Sequence, residues 1–211
     1  MRILKVLGTL FLVGVITCAF LACFAAVYIK NVILPLTPLD AADFPMDQSS
    51  TIYYTDPETG EVQEYDTWNG DEDRVLIAYE DIPEDLIHAA VAIEDRRFYQ
   101  HNGVDWIRTA RSILTMFTGG NIQGGSTITQ QTIKNMTQYD DVTVKRKIIE
   151  IFRALEFDKK YSKEYTLEQY FNRIFFGRKC WGVYTASYMY FGKEVTELSL
   201  AECASLISIT N

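Results

Sequence analysis

From Val6 to Ile29 the chain is apolar and uncharged, with Leu, Phe, Val, Ile and Ala dominant. At about 1.5 Å rise per residue, such a run covers the roughly 30 Å hydrocarbon core of a bilayer. Residues 6–29 are therefore expected as one transmembrane signal-anchor helix behind a short tail, residues 1–5. A cleaved signal peptide is the alternative, but the run exceeds the usual apolar region of such peptides, and Ala25-Ala26-Val27-Tyr28 is a weak cleavage site. Arg2 and Lys5 place the tail in the cytoplasm and the remainder outside, by the positive-inside bias. Pro35, Pro38 and Pro45 then read as an extended stalk over residues 30–50.

Beyond the stalk the pattern shortens. Thr51-Ile52-Tyr53-Tyr54 and Glu61-Val62-Gln63-Glu64-Tyr65 flank the turn-rich Asp56-Pro57-Glu58-Thr59-Gly60, which predicts a β-hairpin. Val75 to Tyr79 reads as a third strand, reached through a solvated acidic loop at Asp71, Glu72 and Asp73. Helical periods take over from there. Asp81-Ile82-Pro83-Glu84 offers a capping acid, a first-turn proline and a glutamate three residues after the cap. Ile87, Val91 and Phe98 follow on one stripe, and Glu94 falls on that same apolar stripe. Residues 105–117 predict a helix with Trp106, Ile113, Leu114 and Phe117 in the core, broken at Thr118-Gly119-Gly120-Asn121. Two further helices are expected, from Ile128 to Asn135 and from the basic cluster at Lys145 to Lys160, the latter burying Ile148, Phe152 and Leu155. The fold class is thus mainly α, as one exported domain over residues 51–211 with a small β-hairpin region at its start.

Charge narrows the function. The net charge is -8, and the first thirty residues hold Arg2, Lys5 and Lys30 with no acid. The remaining 17 bases against 28 acids give the exported part a net of -11, which argues against nucleic acid as a partner. An anionic ligand would need a local cluster of bases. With two histidines and no CxxC spacing, a His-based or Cys-based metal centre is not expected. Cys180 and Cys203 lie in the exported part, where a disulfide is permitted but not required.

Three constellations carry candidate chemistry. The first is Ile93-Glu94-Asp95-Arg96-Arg97-Phe98-Tyr99-Gln100-His101-Asn102-Gly103-Val104-Asp105. A carboxylate aimed at packed apolar neighbours tends towards a raised pKa and suits proton abstraction, unless Arg96 or Arg97 pairs with it. The second, Gly124-Gly125-Ser126-Thr127-Ile128-Thr129-Gln130-Gln131 with Lys134 beyond it, sets backbone N–H donors, hydroxyls and amides at a helix amino end, a place to hold a phosphate. In the third, Lys145-Arg146-Lys147-Ile148-Ile149-Glu150, Arg146 and Glu150 are four apart. They form either an ordinary surface pair or a carboxylate and bases beside a diphosphate or its divalent ion.

Together these blocks resemble the first three motifs of the peptidoglycan glycosyltransferases, the lysozyme-like family found in class A penicillin-binding proteins. Glu164 to Gly177 is similar to the family's fourth motif and Trp181 to Lys193 to its fifth, so the resemblance covers about residues 50–211. It implies polymerisation of lipid II into glycan strands with inversion and release of undecaprenyl diphosphate. Glu94 would be the general base, and Gly125, Ser126, Thr127, Gln130, Gln131, Lys134, Arg146 and Lys147 would bind substrate and diphosphate. Glu150 would hold a divalent cation, Mg²⁺ or Mn²⁺, or orient the bases. The implied partners are lipid II, a lipid-linked nascent glycan strand, the cell membrane and other cell-wall synthesis proteins. Where the family often has an arginine before its third motif, this chain has Asp140-Asp141-Val142-Thr143. It also stops at Asn211, where the family continues, and holds no Ser-x-x-Lys, so the domain reads as truncated at its carboxyl end. In a truncated domain some of Leu200, Leu206 and Ile207 are expected to be partly exposed. Two other classes compete with transfer: a lysozyme-like hydrolase using two carboxylates, and a non-catalytic membrane-anchored binding module.

Overall fold

Residues 2–68, 73–118, 124–138 and 143–209 are described by a computed structural model. Its first element, α1 (Arg2–Tyr28), continues through a π-helical turn at Ile29–Ile33 and a 3-10 turn at Leu34–Leu36. The apolar span Lys5–Leu36 is long enough to cross a membrane, and its most apolar part is not buried against the domain. The hairpin strands β1 (Ser50–Thr55) and β2 (Val62–Trp68) follow, then β3 (Asp73–Arg74), α2 (Glu84–Glu94), α3 (Trp106–Thr118), α4 (Ile128–Thr137) and α5 (Val144–Lys160). The chain ends with α6 (Lys163–Arg173), β4 (Cys180–Trp181), α7 (Val183–Phe191) and α8 (Leu200–Ile209).

The segment after α1 is not an extended stalk. Ile33 and Ala41 are buried, and a 3-10 turn at Ala41–Asp43 docks on α5. The Tyr161 hydroxyl donates to Asp40 Oδ1 at 2.8 Å and accepts from the Ala41 amide at 3.1 Å. Arg173 donates to the Phe44 carbonyl, and Arg153 to the Leu36 carbonyl. Pro35 sits inside a 3-10 turn, and Pro38 and Pro45 each follow the cap of one, instead of stiffening a linker; Leu39, Ala41 and Phe44 supply apolar surface that the Phe157, Tyr161 and Tyr165 rings can cover.

β1 and β2 pair antiparallel with a bulge between Ile52 and Tyr53. The Asp56 carboxylate accepts the Glu58 and Thr59 amides to build the turn. The third strand is shorter and earlier than expected: Asp73 and Arg74 pair in parallel with Cys180 and Trp181, while 75–78 is not strand. The reason is local. The Asn172 side-chain amide takes both the Ile77 N–H (2.9 Å) and its C=O (2.8 Å), leaving no ladder bonds for that residue to make. The acids Asp71 and Glu72 lie outside the described residues.

Helix α2 also starts later than its capping signal. Asp81 lies in a 3-10 turn, Ile82 is extended as residues before proline tend to be, and Pro83 is the N-cap without a side-chain bond. On α5 the buried positions are Glu150, Ala154 and Phe157, whereas Ile148, Phe152 and Leu155 are only half-buried. That face is set by α4, whose Ile133 and Met136 join Val104, Ala154 and Phe157 in the smaller of two cores. The larger core holds Leu86, Phe98, Ile128, Leu167, Phe171 and Leu206 among others. Helix α4 thus contributes Ile128 to one core and Ile133 to the other. Trp106 and Leu114 of α3 are exposed, not core; the side chains of Ile113 and Phe117, and residues 119–121, lie outside the described residues. Leu206 and Ile207 are fully buried, whereas Leu200 is 60% exposed. Cys180 and Cys203 are both buried and unbridged.

Candidate active site

Glu94 is the last residue of α2 and is 6% exposed. Its Oε2 accepts from Gln131 Nε2 at 2.7 Å. Neither neighbouring arginine pairs with it: Arg96 turns back to the Ala92 carbonyl, and Arg97 makes a two-pronged bond to Asp105 at 2.8 and 2.7 Å. The carboxylate is therefore buried and oriented by a neutral donor, with no cation bonded to it among the described residues.

The loop from Asp95 to Asp105 is fixed from inside. Asp95, 1% exposed, accepts the Ile128 amide at 3.1 Å and pairs with His101 Nε2 at 2.9 Å. Phe98 is fully buried, with Lys163 Nζ 4.6 Å from its ring centre. Gly103 has φ of 79°, and a Cβ there would come within 2.2 Å of the Ala154 carbonyl oxygen, so only glycine fits. Burial works to raise the Asp105 carboxyl, but bonds from the Arg108 amide and the Arg97 guanidinium outweigh it and hold the acid below its ordinary value of 3.8.

The second block begins α4 as a capping box. Thr127 accepts the Gln130 amide at 3.2 Å, and Gln130 Oε1 accepts the Thr127 amide at 3.0 Å. Thr127 Oγ1 also donates to the Gly103 carbonyl at 2.6 Å, joining the first block to the second. Thr127 and Gln130 are buried at 0% and 1% exposure. The Thr127 hydroxyl and Gln130 Oε1 are spent on the helix start and the Gly103 carbonyl, while Gln130 Nε2 is buried without a hydrogen-bond partner among the described residues. Gly125 and Ser126 stay half-exposed, Gln131 meets Glu94, and Lys134 is exposed one turn further along α4.

The third block closes on the second. Lys147 Nζ donates to Ser126 Oγ at 2.7 Å and also to Glu150 Oε1, while Arg146 reaches Glu150 Oε2 at 3.4 Å. Glu150 is buried at 6% exposure, so it holds two cations in place instead of forming a loose surface pair. Lys134 and Arg146 line a cavity of about 200 Å³ with Glu150 and Arg153, walled by Leu36, Ile133 and other apolar groups. The result is a buried carboxylate beside the middle of α4 and, one helical turn further along, a cation-rimmed, apolar-walled hollow. Residues 140–142, which stand before the third block, lie outside the described residues.

The profile of the transglycosylase family matches residues 60–211. The chain belongs to that family. Its glycosyltransferase domain is similar to part of penicillin-binding protein 1A of Clostridium botulinum (strain Langeland), 41% identical over 143 residues, or 65% of this chain and 17% of that protein. Penicillin-binding protein 1F of Bacillus subtilis (strain 168) is 40% identical over 139 residues, 65% of this chain and 20% of the relative. Penicillin-binding protein 2a of Streptococcus pneumoniae (strain D39) is 47% identical over 126 residues, covering 60% and 17%. The transglycosylase chain thus spans about a fifth of the length of these relatives or less.

A divalent ion needs several oxygen ligands. Among the described residues of this transglycosylase, no three His, Cys, Asp or Glu side chains gather into such a set, and both Glu150 oxygens already face cations. The described residues do not fit a metal ion at Glu150. Several contacts of the candidate site have no sequence signal. Asp95 and His101 were legible as polar residues, but their joint hold on the amino end of α4 was not. Arg108 sat in a stretch read only as a core helix.

Proposed function

We propose that this transglycosylase chain polymerises lipid II into glycan strands, inverting the anomeric centre and releasing undecaprenyl diphosphate. The observation that carries the reading is a buried Glu94, bonded among the described residues to a neutral amide, with a cation cluster on α4 and α5 one helical turn further along α4. Glu94 takes the proton from the acceptor sugar's 4-hydroxyl as its oxygen attacks the donor's anomeric carbon. The bond from that carbon to the diphosphate oxygen breaks, and the electron pair leaves with the diphosphate. Attack and departure on opposite faces give inversion. Lys134, Arg146 and Lys147 meet the charge that grows on the leaving group, with Ser126 and Gly125 at the turn beside them. Gln131 orients Glu94. Glu150 holds Arg146 and Lys147 in register, and no step requires it to bind metal.

The hydrolase alternative is weaker. It needs a second carboxylate free to act on sugar or water, and Glu150 is occupied by two cations. The apolar amino-terminal helix anchors the chain in the cell membrane, with Arg2 and Lys5 on the cytoplasmic side and the cleft outside at the height of a lipid-linked substrate. Its partners are lipid II, the nascent lipid-linked strand and other cell-wall synthesis proteins. Incubating the purified chain with labelled lipid II in detergent micelles tests the reading. Glycan polymer is expected. Shortening of pre-made strands would instead establish a hydrolase, and binding without turnover a non-catalytic module.

A further inference from the structure

We infer that Arg108 is a positioning residue, setting the distance between the base and the glycine turn. Its guanidinium reaches two backbone carbonyls in different blocks. Nε donates to the Gly124 carbonyl at 2.8 Å, and a terminal nitrogen donates to the carbonyl of Glu94 itself. The Glu94 carbonyl belongs to the last residue of α2, where helix carbonyls lack intrahelical partners and a cation is favoured. One side chain therefore caps the helix that presents Glu94 and grips the turn that presents Ser126.

Two further observations make this a built device. The Arg108 backbone is itself fixed, since its amide donates to Asp105 Oδ1 at 2.9 Å and Asp105 is held by Arg97. Ser112, four residues on and so on the same face of α3, lies against Gly125: a Cβ added there would come within 2.8 Å of Ser112 Oγ. Helix α3 thus touches the glycine turn at two points one helical turn apart, and Arg108 also reaches α2. A planar fork of fixed donors suits two carbonyls at once, and a lysine ammonium does not offer that geometry.

The kinetic consequence rests on the glycosyl-transfer reading; the structural one does not. The cavity with Lys134 and Arg146 lies on α4 and α5, away from this contact. Losing Arg108 should leave the grip of Lys134 and Arg146 in place while loosening the approach of Glu94 to the acceptor hydroxyl and the hold of the glycine turn on the leaving group. A misplacement near 1 Å costs on the order of 10²-fold in rate.

The test uses the full chain in detergent micelles, with lipid II turnover and hydrogen exchange measured on the same preparations. For Arg108→Ala, kcat should fall by about 10²-fold with KM changed by less than about twofold. Exchange should quicken over residues 94–98 and 124–128 but not across α7 and α8. Arg108→Lys should recover part of kcat, and Arg111→Ala, at an exposed site on the same helix, should match the parent in both measurements. Parent-like kcat in Arg108→Ala would overturn the inference. So would unchanged exchange in both segments, or exchange raised equally through the domain. If the parent makes no polymer from lipid II, the glycosyl-transfer reading fails, and exchange still decides whether Arg108 holds the two segments together.

Discussion

At the scale of single residues, hydrogen-bond partners, and not burial alone, separate the candidate base from polar groups that build the fold. Glu94 and Gln130 are both nearly inaccessible, yet their partners differ in kind. Gln130 spends its carbonyl oxygen on a helix cap, whereas Glu94 keeps a carboxylate held by one amide donor. Glu94→Gln preserves shape and loses the basic lone pair. Lipid II polymerisation should drop by at least about 10²–10⁴-fold with thermal unfolding near the parent's, and polymerisation at the parent rate would remove Glu94 from the role of base. Asp105 makes the opposite case of an acid in structural service. Its folded pKa lies below its unfolded value, so its contribution to stability is present above the ordinary value near 3.8 and lost as pH falls through the lower folded one. Urea unfolding followed from about pH 5 down to about pH 3 should show that loss in the parent and a flatter profile in Asp105→Asn.

At the scale of elements, α4 organises the site, because its amino end meets the first block, its middle meets Glu94 and its next turn meets the cavity. Its start depends on Thr127, which caps the helix and bonds the Gly103 carbonyl at once. Thr127→Ala should cost about 1–2 kcal/mol from the cap, read by chemical denaturation of the purified chain. A change within error would mean that the cap contributes nothing beyond the tertiary contacts of Ile128 and Ile133. The capping box of α4 was legible as spacing, Thr127 with Gln130 three residues on. The matching signal before α2 failed, because Ile82 precedes a proline and takes extended backbone. Helix α5 failed differently. Its apolar period was real, but α4 covers the neighbouring stripe of Glu150, Ala154 and Phe157, and nothing local says which stripe a partner will cover.

For the whole molecule, the segment between the apolar helix and the domain belongs to the domain. Asp40, Ala41 and Phe44 are held by α5, Tyr161 and α6, and Leu36 walls the cavity that Lys134 and Arg146 enter. An apolar helix docked this way carries its orientation into the site instead of acting as a free tether. Tyr161→Phe removes two hydrogen bonds to this segment and keeps the ring in its stack with Phe157 and Tyr165. Hydrogen exchange over residues 40–44 should quicken in that variant while α7 and α8 stay protected. Equal exchange in both proteins would mean that apolar packing alone docks the segment.

The amino-acid order determined what depends on short separation: an apolar span of membrane length, a hairpin around Asp56 to Gly60, a cap at Thr127 and three blocks whose residue types suit a base beside an anion cradle. Family membership follows from those blocks too, since residues 60–211 match as one stretch. Tertiary structure decided which polar groups remain available. It buried Thr127 and Gln130, bound Lys147 to both Ser126 and Glu150, withdrew Arg97 to Asp105 and brought Arg108 across to Glu94 and Gly124. The reason is that a hydrogen bond between residues far apart in the chain depends on how helices pack, and packing is fixed by surfaces on both partners at once.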